Sequence, residues 1–282
     1  MTRMEEFKQY PWRLWSRQFM TIVRMELRKS LFRWRSAWIY LLAMAPVAII
    51  AIHAVVDHHT RDGMREDVVV LAAIFQFYYL RLAIFFGCLG IFTRLIRGEM
   101  VERSLHYYLL APVRRELLVI AKFVAGVITS VMVFGTAVFL ATAFMYLHFG
   151  QQGMQFLTEG AGAYHLKAYL GITVLACLGY GAVFLALSMV FKNPIVPAIV
   201  FFGWEAINPV VSPLMQKLSI TFYLRHLSPV DVPAQGLFAL LTVVTEPVPA
   251  WAASLGVVAL TTGVLLLACY RVRKLEISYT TE

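Results

Sequence analysis

Two charged residues stand where the sequence is otherwise apolar. Arg81 interrupts the run Val68 to Thr93, and Glu205 lies in the run Pro194 to Ile207. A central arginine in a lipid-spanning helix costs about 2.5–3.5 kcal/mol on insertion scales. Each charge must therefore face a neighbouring helix or a polar cavity. Glu205 is the only acidic residue deep in an apolar run, which makes it a candidate counter-ion for Arg81. The alternative role for Arg81 is contact with an anionic head group. Aromatic residues crowd the same run: Phe75, Phe77, Tyr78, Tyr79, Phe85 and Phe86. Arg81, Tyr78 and Glu205 are thus the candidate lining of a path for an amphiphile. Snorkelling of Arg81 and lipid-facing aromatics are the plainer alternatives.

Other chemistry is thinner. His53, Asp57, His58 and His59 cluster after the first apolar run. His53 and Asp57 are four residues apart and share a helix face, but a polar loop explains them as well, so no metal site is assigned. No G-x-x-x-x-G-K-[ST], H-E-x-x-H, C-x-x-C or G-x-S-x-G pattern occurs. ATP binding through a P-loop is excluded, and any energy input must come from another polypeptide or an ion gradient. Cys88, Cys177 and Cys269 fall within apolar runs and read as packing residues.

The elements that must hold these residues follow from composition. The chain has 282 residues, 60% hydrophobic and 15% charged, with mean hydropathy +0.71. Soluble proteins are about 45–50% apolar and about 25% charged. Such a chain cannot clothe itself for water, and an all-α integral membrane protein is expected. Six runs are candidate transmembrane helices: Ala37–Val56, Val68–Thr93, Leu117–Leu147, Ala168–Phe191, the short Pro194–Ile207, and Trp251–Tyr270. Between the last two, residues 208–250 carry six prolines and are expected to form short re-entrant or outer helices.

The net charge of +9 reads as attachment to an anionic membrane leaflet, not to nucleic acid. Basic residues divide unevenly between the two sides. Segment 1–36, the second-to-third connection, the fourth-to-fifth turn and the C-terminus hold 18; the other three connections hold five. The positive-inside bias places both termini in the cytoplasm. No cleavable signal peptide is evident in the basic, aromatic first 36 residues. The expected organisation is an amphipathic helix over 1–36, a six-helix transmembrane domain over 37–270, and a cytoplasmic tail over 271–282. In the first segment Trp12, Trp15, Phe19, Val23, Leu27, Leu31 and Trp34 recur at helical spacing, flanked by an arginine stripe. Such a helix lies in the membrane interface. The plain reading is a juxtamembrane anchor; the sharper one is an elbow helix that packs beside the first span and frames a docking site for a cytoplasmic partner.

The cytoplasmic loop 94–116 is charged at its start and aromatic in its middle. Its sequence GEMVERSLHYYLLAPVRRELLVIAKFVAG resembles the cytoplasmic loop of ABC type-2 export permeases. Glu99, Glu102, Leu105, Leu109, Leu110, Ala111, Pro112, Val113, Arg114 and Lys122 match the pattern. Arg103 and Ser104 stand where Gly-Thr is usual, His106 where Glu is usual, and Ala121 where Gly precedes the lysine. The resemblance extends loosely to the whole layout of helices and connections.

The resemblance implies the membrane subunit of an ATP-binding-cassette exporter in a bacterial inner membrane. The loop would be a coupling helix that docks on an ATPase subunit through Glu99, Glu102, Arg103, Leu105, Tyr107, Tyr108 and Arg114. It also implies two permease copies as a homodimer, two ATPase subunits, and no cofactor in this chain, ATP and magnesium belonging to the partner. The expected cargo is amphipathic: a lipid, glycolipid, peptide or drug. Rival readings are an ion-coupled transporter and, with a weaker constellation of residues, a membrane-embedded transferase.

Overall fold

The computed structural model describes residues 12–31, 36–56, 63–102, 110, 113–232 and 247–273. It is helical, with no strand among the described residues. In lipid, a helix satisfies every backbone polar group within its own segment, so an apolar chain has few other options. The helices are α1 (Trp12–Leu31), α2 (Ala37–Val56), α3 (Met64–Val101), α4 (Arg115–Leu147), α5 (Gln151–Thr158), α6 (Ala161–Val190), α7 (Ile195–Ile207), α8 (Pro213–Gln216), α9 (Ile220–His226) and α10 (Ala250–Arg273). Five of these are long and apolar enough to cross a membrane: α2, α3, α4, α6 and α10.

The expected fifth span is the exception. Its helix α7 has 13 residues, a rise of about 20 Å against a hydrocarbon core of about 30 Å. The chain nevertheless has to change ends between α6 and α10. At one end of the bundle Arg94 of α3 donates to Ser36 before α2 (3.0 Å), and Arg273 closing α10 pairs with Glu116 opening α4 (2.6 Å). At the other end His53 of α2, Asp67 of α3 and His148 after α4 meet. The helix α10 therefore finishes at the end where α4 begins, and α6, antiparallel to α4, also finishes there. The route back runs through α7, a turn of 3₁₀ helix at Asn208–Val210, α8 and α9.

That route is broken for local reasons. Pro209 and Pro213 interrupt the helical bonding, and side-chain amides close the turn. Asn208 donates to the carbonyl of Gln216 (3.2 Å), and Gln216 to that of Val211 (3.0 Å). Both residues are buried.

The α3 helix is irregular too. Residues Ile74–Ala83 form a π-helical stretch, and the amide of Ile84 bonds to the carbonyl of Tyr79, five residues back. A second wide stretch covers Arg94–Gly98. Wide turns change which residues share a face, and they recur at functional sites. The core lies among α2, α3, α4 and α6, with Phe75, Phe85, Phe92, Phe134, Tyr180 and Phe184 almost fully buried.

The α1 helix packs differently from expectation. Its partner is the start of α4, not α2: Ile22 and Val23 are buried with Leu118, Ala121 and Ala125. Phe19 and Leu27, two members of the expected stripe, pack against that cluster, whereas Trp12 is half exposed. The small residues Ala121 and Ala125 give α4 a shallow surface against which Ile22 and Val23 fit. A buried ion pair adds a second fastening there.

Candidate functional site

Among the described residues, two groups of charges bear on the expected site residues. The first joins α1, α3 and α4. Lys122 is fully buried, and its ammonium donates to Glu26 Oε1 (2.6 Å) and Glu99 Oε2 (2.7 Å). Lys29 reaches the other oxygen of Glu99 at 3.3 Å. Among the described residues, two ammonium groups thus face two carboxylates. Burial pushes the Glu26 carboxyl up from its usual range and the nearby Glu99 charge adds to this, while Lys122 opposes both.

This arrangement relocates one expected contact residue. Glu99 was expected to face a partner, but it is only 6% exposed and turns inward to Lys122. The reason is the wide stretch before it, which carries the end of α3 over the start of α4. Glu102, three residues on, is exposed. Arg114 is exposed as well, and its guanidinium lies 4.2 Å from the ring centroid of Trp15 in α1. Leu110 is 81% exposed. Arg103, Leu105, Tyr107 and Tyr108 lie outside the described residues. Glu26 escaped the sequence reading. Its signal was available: it is the one acidic residue on the packed face of a basic helix, three residues after Val23 and four after Ile22.

The second group lies further along α3. Arg81, Glu205, Phe77, Phe85, Tyr180 and Phe202 line a cavity of about 210 Å³, with Leu82, Ala206 and Thr221 completing it. The expected pairing of Arg81 with Glu205 is not made among the described residues. Glu205 instead caps α9: it accepts from Ser219 Oγ (2.8 Å) and from the amides of Ile220 (3.1 Å) and Thr221 (2.9 Å). The first amides of any helix lack intrahelical partners, and a carboxylate carried by α7 satisfies those of α9. Tyr180 shares a hydrogen bond with Thr221 Oγ1 (2.9 Å).

Tyr78 is not brought into this cavity. Its hydroxyl donates to the carbonyl of Leu42 in α2 (2.9 Å). Pro46 lies four residues after Leu42 and has no N–H, so this carbonyl has lost its helical donor. Tyr78 supplies one across the helix interface. Tyr79 donates likewise to Ala43 (3.2 Å). The pair Pro46 and Tyr78 could have been linked from the sequence only with the register of α2 against α3 in hand.

At the opposite end, His53 meets an aspartate of α3. Its Nε2 lies 3.7 Å from one oxygen of Asp67, and Nε2 of His148 lies 3.6 Å from the other. Asp57, His58 and His59 lie outside the described residues, and no group of metal-ligating side chains is assembled among the described ones.

Comparison with known families gives one match. Residues 22–204 correspond to the family described as ABC-2 family transporter protein. The matched segment opens inside α1 and closes one residue before Glu205, so it contains Glu26, Arg81, Glu99 and Lys122. No curated protein matches the chain.

Proposed function

From the premise that this chain belongs to the ABC-2 transporter family, we propose that it is the permease subunit of an exporter driven by ATP hydrolysis on a separate subunit. Family membership makes it a multi-pass membrane transport protein, and partnership with an ABC ATPase goes with such permeases generally. The finer reading rests on one observation. The α3 helix runs on beyond its apolar stretch to Val101, and the Lys122 cluster fastens that extension to α1 and α4.

A movement imposed on the loop that follows would therefore be felt by three helices at once. Conformational switching of this kind needs a rigid element between drive and load. Glu102, Arg114 and the loop between them would meet the ATPase, whereas Glu99 would position that loop without touching the partner. Two permease copies would pair, because one coupling loop and one set of spans make half a pathway. The fifth crossing would be made by α7, α8 and α9 together, giving six crossings with both termini cytoplasmic. The cargo would be amphipathic.

The test is co-purification with candidate ATPases, followed by ATPase assay in proteoliposomes. Glu102→Lys is expected to weaken docking or uncouple hydrolysis from transport while the permease stays folded. Losing a charge pair at an interface costs about 2–5 kcal/mol when it is buried and little at the rim. Transport that proceeds on an ion gradient with no ATPase present would replace this reading with the ion-coupled one.

A further inference from the structure

We propose that the cavity at Arg81 is a binding site for the anionic head group of an amphiphile, a phosphate or carboxylate entering sideways from the hydrocarbon region. The inference deepens the reading of the chain as a transport subunit by naming the chemistry of what it holds.

The argument begins with the guanidinium. Arg81 makes no hydrogen bond and no ion pair among the described residues. Its one recorded partner is the Phe77 ring, 5.2 Å from Cζ to the centroid. A contact with a ring face leaves the five N–H donors of an arginine unmet. Arg81 is half-buried beside the cavity, and unmet donors of a partly desolvated charge are costly, so this arrangement calls for an acceptor.

The neighbouring groups do not provide it. Both oxygens of Glu205 are committed to Ser219 and to the amides opening α9. The Tyr180 hydroxyl is engaged with Thr221. Arg225 disfavours the charge on Arg81 more than Glu205, acting at longer range than an ion pair, favours it. The cavity thus presents a cation that no carboxylate among the described residues meets at ion-pair distance.

Size and surroundings narrow the ligand. About 210 Å³ is several times the ~30 Å³ share of one water molecule. That accommodates a head group and not a long acyl chain. The rim is apolar and open to the side: Phe77 is 45% exposed and Leu82 is 38% exposed. A hydrocarbon tail would lie along that rim while the head meets Arg81. A free inorganic anion would find the same guanidinium but gain nothing from the rim.

The test uses the full chain purified in a zwitterionic detergent and measures binding by native mass spectrometry. The probes are dodecyl phosphate, phosphatidylglycerol, phosphatidylcholine and inorganic phosphate. The two anionic amphiphiles are expected to bind, phosphatidylcholine at least about tenfold more weakly, and inorganic phosphate not to compete. Arg81→Leu should weaken anionic amphiphile binding at least about tenfold, the loss of one charge-assisted contact, and Arg81→Lys should restore part of it. If Arg81→Leu fails to fold, Ala206→Leu decides: it fills the cavity, keeps the arginine, and should block binding equally.

Binding that is unchanged in folded Arg81→Leu, or in Ala206→Leu, overturns the proposal. So does inorganic phosphate that competes at equal concentration, which would make this a site for free anions. Because the readout needs no ATPase, failure to find an ATPase partner would count against the permease reading and leave this site standing.

Discussion

The charges around Lys122 and those around Arg81 answer the same difficulty in opposite ways. At Lys122, two carboxylates meet the buried ammonium and a second lysine joins one of them, and the result fastens α1 and the end of α3 to α4. At Arg81, the nearby carboxylate is taken up by a helix end, and the guanidinium faces a cavity with an aromatic ring as its closest contact among the described residues and no hydrogen bond there. A closed network rigidifies, and an open one leaves capacity for a ligand. The difference is not visible in charge count, since both sites hold acidic and basic residues. It lies in where each carboxylate's oxygens are used.

The comparison can be tested by removing one member at a time, and the closed site should suffer most. Lys122→Met takes from the buried Glu26 its 2.6 Å ammonium partner and leaves Glu99 to Lys29. Removing one partner of a buried pair costs about 3–5 kcal/mol, so thermal unfolding in detergent should show a marked loss. Combining Lys122→Met with Glu26→Met and Glu99→Leu should recover much of it. If Lys122→Met unfolds like the unmodified chain, the closed-network description fails.

A smaller effect is expected from Glu205→Ala. It leaves the first amides of α9 and Ser219 without their acceptor, a cost of about 1–3 kcal/mol. The mark of its role is local: hydrogen exchange should rise in 219–226 and stay unchanged at 115–130. Exchange that rises at both ends equally would mean that Glu205 does more than cap a helix.

Tyr78→Phe should cost about 0.5–1.5 kcal/mol, read as a modest drop in unfolding temperature. Anionic amphiphile binding should not change, because Tyr78 serves the Leu42 carbonyl and not the cavity. A binding loss would return Tyr78 to the pathway.

The smallest expected effect is a pH dependence from Glu26. Its carboxyl titrates above its ordinary value in the folded chain, because burial disfavours the charged form. Its stabilising contribution is therefore complete below the ordinary carboxylate pKa and declines as pH rises through the raised one. Unfolding temperature followed upward from pH 4.5 should fall more steeply for the unmodified chain than for Glu26→Gln. Parallel curves would show that Lys122 cancels the effect of burial.

Much of the frame was legible in the sequence. The runs Ala37–Val56 and Leu117–Leu147 correspond closely to α2 and α4, and the short run ending at Ile207 corresponds to α7. Apolar length alone marks such segments, because hydrocarbon admits few other backbones. The periodic stripe read in 12–31 as a membrane-interface face falls on the helix α1, where Phe19, Val23 and Leu27 pack against α4. That Arg81 and Glu205 would be buried or cavity-facing followed from the cost of a charge in lipid.

What only the tertiary structure decided is which group each charge meets. Periodicity gives the face of a helix but not the neighbour it finds; charge count alone paired Arg81 with Glu205, and the loop's resemblance turned Glu99 toward a partner. The wide turns in α3 shift its register, and the prolines after α7 release a helix end whose amides claim Glu205. Both act over a few ångströms between segments far apart in the chain. Hydropathy reports the free energy of placing a segment in lipid. Hydrogen-bond partners depend on the register between segments, and that is fixed only when the helices pack.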